Sequence, residues 1–129
     1  RFATDFSHWC VATESFLGDH RKYVDATIER SEIIHARVGF EEGPQVNDPR
    51  TPEWKSALEI HLGWWDEIVA RHKAEGSDAL IITTEFGPPP YAPVHLYSQK
   101  PIFNQWDQNL HMLDLLKKKY VTREKRPSV

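Results

Sequence analysis

The feature that most constrains this chain is an alternation of short, apolar, β-prone segments with longer stretches of helical apolar spacing. Phe2 to Trp9 reads as a strand, with Asp5 and His8 set into it. Thr13-Glu14 then reads as a helix start. Phe16, Leu17, Tyr23, Val24 and Ile28 form the stripe, and Gly18-Asp19 is a break within it. Ser31 to Gly39 reads as a second strand, followed by a loop over residues 40–51 rich in Gly, Pro, Asn and Asp. Thr51 as N-cap, Pro52 at the first helical position and Glu53 in the first turn predict a helix that Gly76 ends. Trp54, Leu58, Leu62, Trp65, Ile68, Val69 and His72 recur along it at helical spacing. Ala79 to Phe86 reads as a third strand, apolar enough to be covered on both faces. Gly87 to Pro93 continues neither a strand nor a helix, because proline fixes φ and lacks a donor. A last helix is expected from Asn104 to Tyr120, with Trp106, Leu110, Leu113 and Leu116 inward.

Such an order predicts an α/β fold of parallel βαβ units. Three units leave two open sheet edges and cover the faces poorly, so the pattern implies part of a larger sheet or barrel. The chain opens on Arg1, strand-like sequence begins at Phe2, and its one methionine is Met112. We therefore expect a piece of a longer chain, organised as a folded part over residues 1–121 and a basic tail over 122–129.

Composition excludes several classes. No run of eighteen apolar residues is present, so no transmembrane helix is expected, and no secretory signal is visible. A single cysteine, Cys10, rules out a disulfide framework or a Cys-rich zinc module and reads as a small buried hydrophobe. A cytoplasmic location is the corresponding expectation. Residues 117–129 hold six basic groups and one acid, whereas the other 116 residues hold ten basic and eighteen acidic groups. That acidic body argues against nucleic acid as a partner. The basic run reads instead as a solvated helix C-terminus.

Chemistry-bearing residues gather where the strands end. Asp5 and His8 belong to the first strand, His35 and Arg37 share a face of the second, and Glu85 ends the Ile81, Thr83, Glu85 face of the third. In parallel α/β architectures the carboxyl ends of several strands build the active site. Each residue also has a plainer reading: Asp5 as a turn or helix cap, His35 as a satisfied core histidine, Arg37 as an ion pair with a neighbouring strand. Glu85 is harder to dismiss, because a carboxylate buried after an apolar run costs several kcal/mol unless it is paired or bound to a metal. Two carboxylates and an imidazole favour a catalytic Mn²⁺, Co²⁺ or Mg²⁺, with Zn²⁺ also compatible. A fourth ligand is not obvious in the sequence. His61 and His72, on the long helix, read as core and surface groups.

These motifs resemble a known family. Asp5-Phe6-Ser7-His8, His35-Ala36-Arg37 and Thr84-Glu85-Phe86-Gly87-Pro88 are similar to the last three strand ends of the xylose isomerase-like TIM-barrel family of sugar and sugar-phosphate isomerases and epimerases. The resemblance spans residues 1 to about 120, with 30 residues from Asp5 to His35 and 50 from His35 to Glu85. It implies the three C-terminal strand-helix units of a (β/α)8 barrel. It further implies a divalent ion held by Glu, Asp, His and Glu. Asp5, His35 and Glu85 match the last three ligands, and the first Glu would lie upstream of Arg1. The implied activity is isomerisation or epimerisation of a sugar or sugar phosphate by proton transfer through a metal-stabilised ene-diolate. Glu85 would serve as ligand and base, and His8 and Arg37 as groups that hydrogen-bond substrate oxygens. Trp9, Phe40, Phe86 and Tyr91 would shield the site or stack on a sugar face, with the loops 40–51 and 87–101 as lids. The piece alone is expected to be inactive, and a homo-oligomer is compatible with it.

Three other readings share the residues. An endonuclease IV-like abasic-site nuclease has the same Asp-x-x-His strand end plus an Asp-x-His pair. Here Asp48-Pro49-Arg50 stands near that place with arginine where the second imidazole is needed. A metal-dependent dehydratase of a polyol or inosose would begin with the same proton abstraction. A catalytically inert barrel fragment is the non-enzymatic alternative.

Overall fold

In the computed structural model, which describes residues 2–121, three parallel strands are ordered β1-β2-β3: β1 over Phe2–Thr4, β2 over Ser31–Ala36 and β3 over Ile81–Thr84. The helices are α1 over Phe6–Thr13, α2 over Arg21–Ile28, α3 over Lys55–Ala74 and α4 over Gln105–Tyr120. The α/β class and the parallel units agree with the sequence pattern. The tail expected over residues 122–129 falls outside the described residues. Among those described, no helix is long and apolar enough to cross a membrane.

Register sets up everything that follows. Ala3 pairs with Ile33 and Thr4 with Ile34 across β1–β2, while His35 pairs with Thr83 and Ala36 with Thr84 across β2–β3. Asp5, one residue past Thr4, is therefore level with His35, and Glu85, one past Thr84, is level with Arg37. All four sit at the carboxyl end of the sheet.

All three strands are shorter than their sequence implied: β2 ends at Ala36 rather than Gly39, which leaves Arg37 just past it, β3 spans Ile81–Thr84 rather than Ala79 to Phe86, and β1 stops at Thr4. Residues 6–9 belong to α1, whose N-cap is Asp5, in extended backbone with its carboxylate accepting the N–H of Ser7. Phe6 and Cys10 are spaced four apart and both are fully buried, which is helical spacing. The second helix also starts later than Thr13. Glu14 and Leu17 adopt left-handed backbone, with φ of 48° and 64°, and a short 3-10 turn over Gly18–His20 leads into α2. In α2, Val24, Thr27 and Ile28 are buried and Tyr23 is exposed. Pro52–Trp54 forms a 3-10 turn before α3, and Thr51 makes no side-chain cap. Its hydroxyl donates instead to the Asp48 carbonyl.

The core lies between one sheet face and the helices. Ile34 and Ala36 of β2 meet Phe6, Cys10, Val24, Ala57, Trp64, Trp65, Ile68, Met112 and Leu116. Each fully buried large side chain there is worth about 2–3 kcal/mol relative to exposure. On the opposite face Ile81 is 60% exposed and Thr83 is exposed, so β3 is not covered on both faces by the described residues. The inward stripe of α4 keeps Leu116 from the expected set but is otherwise rotated. Gln108, Met112 and Leu116 are buried, whereas Trp106, Leu110 and Leu113 are exposed. In the core, Gln108 donates its Nε2 to the Asn47 carbonyl at 2.5 Å, while its Oε1 is buried without a hydrogen-bond partner.

Candidate metal centre

Helix α1 starts immediately after β1, so its capping residue is also the residue at the strand's carboxyl end. Asp5 therefore serves two structures at once. Its Oδ1 accepts the Ser7 N–H at 3.0 Å and the Ser7 hydroxyl at 2.5 Å, and its Oδ2 lies 2.7 Å from Arg37 Nη2. Arg37 is 4% exposed, which makes this a nearly dry ion pair. The plainer readings of Asp5 as a cap and of Arg37 as a cross-strand ion pair both hold, and neither removes Asp5 from the site.

Arg37 is held on every side. Its Nε donates to Ser7 Oγ at 3.1 Å, and Nη2 lies 2.6 Å from His8 Nε2. A guanidinium has no acceptor, so His8 Nε2 accepts and its ring proton sits on Nδ1. The guanidinium carbon is 4.6 Å from the centroid of the Tyr91 ring. That ring can lie so close because residue 87 is glycine, where a Cβ would stand 2.8 Å from the Tyr91 ring.

Asp5, His35 and Glu85 each offer a ligand atom, and the three atoms lie within 4.8 Å of one another. His35 Nδ1 is 3.1 Å from Glu85 Oε2. This oxygen is buried and has no partner in hydrogen-bonding geometry. The Glu85 side chain is 35% exposed overall, so the expected burial of the whole carboxylate does not hold, and a cation between these groups would satisfy the one oxygen shut off from water. The donor set, one imidazole nitrogen and two carboxylates, suits a hard to borderline divalent ion. The residues present thus fit such a group.

These side chains open into a cleft of about 530 Å³, lined also by His8, Arg37, Phe86, Tyr91, Gln105 and Asn109. Two expected members lie elsewhere. Trp9 follows His8 on a helix, so it turns away from the cleft and packs edge-on against Phe6 at 5.4 Å. Phe40 packs on Trp54 at 4.8 Å. Asp48 is not part of the cluster either. Its carboxylate takes both Nε and Nη2 of Arg50, at 2.8 and 2.7 Å, and this side-chain hydrogen bonding holds its acidity above that of an ordinary aspartate. The nuclease-type use of Asp48 therefore has no support in the geometry.

The sequence reading missed Ser7, Gln45, Gln105 and Asn109. Ser7 had a visible signal, since Asp5-x-Ser7 ahead of an i, i+4 apolar pair marks a capped helix. The three amides had none, because their partners are backbone groups distant in sequence. His61 and Cys10 stand beneath the site in the core, both fully buried, with His61 Nε2 4.0 Å from Cys10 Sγ. No protein-family model, curated protein or solved structure matches the chain.

Proposed function

We propose that this chain is the C-terminal three-unit portion of a xylose isomerase-like (β/α)8 barrel, contributing three ligands to a divalent-metal centre that isomerises or epimerises a sugar or sugar phosphate. The observation that carries this reading is that ligand atoms of Asp5, His35 and Glu85 lie within 4.8 Å of one another, with Glu85 Oε2 buried and without a hydrogen bond. The exposed Ile81 and Thr83 face and the uncovered Trp106, Leu110 and Leu113 stripe support the barrel part. Further strand-helix units would cover both, and a three-stranded parallel sheet is otherwise half solvated.

A bound divalent ion supplies Lewis-acid polarisation of a substrate carbonyl. The protein's own groups do the rest. A carboxylate oxygen of Glu85 would accept the proton of the C–H next to that carbonyl and, in isomerisation, return it to the former carbonyl carbon. Epimerisation needs a second acid on the opposite face, the role of the fourth-ligand Glu that the resemblance implies. His8, with its proton on Nδ1, donates to a substrate hydroxyl. Arg37, fixed by Asp5, Ser7 and Tyr91, offsets negative charge that develops on substrate oxygen. Phe86, 1% exposed, forms an apolar wall that limits water at the reacting carbon.

Calorimetric titration of the 129-residue chain with Mn²⁺ tests the metal centre. Micromolar binding that His35→Ala abolishes is the expected outcome. No heat of binding in the unaltered chain overturns the reading.

A further inference from the structure

The Phe86–Gly87 peptide, immediately after Glu85, leaves the sheet at a point where no strand accompanies it. The β2–β3 register ends at the Ala36–Thr84 pair, and β2's continuation turns away so that Val38 O accepts from Val46 N at 2.9 Å. Phe86 is nevertheless buried, and buried backbone groups must find partners.

Three amide side chains supply them. Asn109 Oδ1 accepts the Phe86 N–H at 2.9 Å, and its Nδ2 donates to the Phe86 carbonyl at 2.8 Å. Gln45 repeats the pattern one residue on: Oε1 accepts the Gly87 N–H at 2.7 Å and Nε2 donates to the Gly87 carbonyl at 3.2 Å. Gln105 Nε2 adds a second donor to the Phe86 carbonyl at 2.9 Å. A carboxamide carries one donor edge and one acceptor edge, as a peptide does, so each bidentate pair imitates a ladder step.

We infer that Asn109 and Gln45 are positioning residues for Glu85, a side-chain substitute for the absent strand that holds the carboxylate toward His35. This rests on the metal-centre reading and extends it to residues that touch no ligand atom. Glu85 is fixed on its N-terminal side by β3 and on its C-terminal side by the clamp. With both flanks held, the Glu85 backbone is set in the orientation from which Oε2 lies 3.1 Å from His35 Nδ1. Because Gln45 belongs to the β2–α3 loop and Asn109 to α4, the clamp also ties the exit of β2 to the exit of β3. A metal site needs its donors held within about 0.5 Å, and loss of such outer partners commonly weakens binding about 10–100-fold.

The test compares the unaltered 129-residue chain with Asn109→Leu and Gln45→Met, which keep side-chain volume and remove the bidentate pairing. Two readouts are taken on each: Mn²⁺ affinity by calorimetry, and, without metal, amide exchange at Phe86 and Gly87 with the nuclear Overhauser contact between the His35 ring and the Glu85 methylenes. We expect at least about a tenfold rise in the Mn²⁺ dissociation constant, faster exchange at the unclamped amide and loss of the His35–Glu85 contact, while the Ile34 and Trp65 core signals persist. Unchanged exchange and an unchanged His35–Glu85 contact overturn the clamp, whether or not Mn²⁺ binds. Absence of Mn²⁺ binding in the unaltered chain overturns the metal reading alone, and the metal-free readout then decides the clamp. If both variants fail to fold, the amides are structural and the positioning role is overturned.

Discussion

The Nε2 atom of His61 accepts the backbone N–H of Gly39 at 3.2 Å, while its Nδ1 lies 2.8 Å from the Ala57 carbonyl. The ring therefore carries its proton on Nδ1 and must stay neutral to keep both bonds. Burial pushes its pKa down to about 4 from the usual 6.5. An unfolded chain takes up this proton near pH 6.5, and the folded chain resists until about pH 4. Stability from this residue is thus complete above pH 6.5 and falls as pH drops toward 4, by about 3 kcal/mol in all. Urea denaturation at pH 7 and pH 4.5 should show that loss, and His61→Leu should lose less between the two pH values. An identical loss in His61→Leu would assign the acid sensitivity to other groups.

Gly39 also abuts the site. A Cβ there would stand 2.7 Å from Ser7 O and 2.8 Å from Ser7 Cα, both of them backbone atoms that cannot swing aside. Gly39→Ala should cost about 1–3 kcal/mol and loosen the Ser7–Arg37 contact. Gly63 on α3 is the matched control, since a Cβ there meets nothing within 4 Å. Gly63→Ala should be stabilising by up to about 1 kcal/mol through helix propensity. Equal midpoints for the two variants in chemical denaturation would show that the contact at Gly39 relaxes freely.

How far the sequence foretold this arrangement depends on the range of the interactions involved. β2, β3 and α3 were legible because their patterns follow the local pleat or the helical turn, and Asp5, His35 and Glu85 were legible because parallel strands bring their carboxyl ends together. The first strand was misread because Phe6 and Trp9 are apolar enough for either state, and one capping bond from Asp5 decides for the helix. The stripe of α4 was misread because the helix is apolar on two sides. Only the tertiary bond from Gln108 to Asn47 shows which side meets this core. The amide clamp was not legible at all, since Gln45 and Asn109 find backbone partners 42 and 23 residues away.

Cys10 lies fully buried beside His61, an arrangement that could pass for a nucleophile and its base. Burial, with Glu41 and Asp5 adding to it, pushes the thiol up to about 12. The thiolate is the reactive form, so the native protein should resist alkylation by iodoacetamide at pH 8 for as long as it stays folded. One equivalent should react once the chain is unfolded in guanidinium. Rapid native alkylation would contradict both the burial and the inert role.

Arg37 and Asp5 give the sharpest link between stability and metal binding. Their ion pair is nearly free of water, with side chains 5% and 13% exposed. Arg37→Met keeps the bulk of the stem and leaves the Asp5 carboxylate facing His8 and Ser7 without a fixed cation. Removing one member of a buried pair costs about 3–5 kcal/mol, because the remaining charge stays desolvated. If Asp5 also belongs to a cation site with His35 and Glu85, Mn²⁺ supplies the charge that the substitution removes. The ion should then raise the melting temperature of Arg37→Met by more than it raises that of the unaltered chain, since ligand stabilisation grows with affinity. Thermal unfolding with and without Mn²⁺ measures both responses. A smaller rise in Arg37→Met would mean that Arg37 assists cation binding rather than competing for Asp5, and Asp5 would then act as its anchor instead of as a ligand.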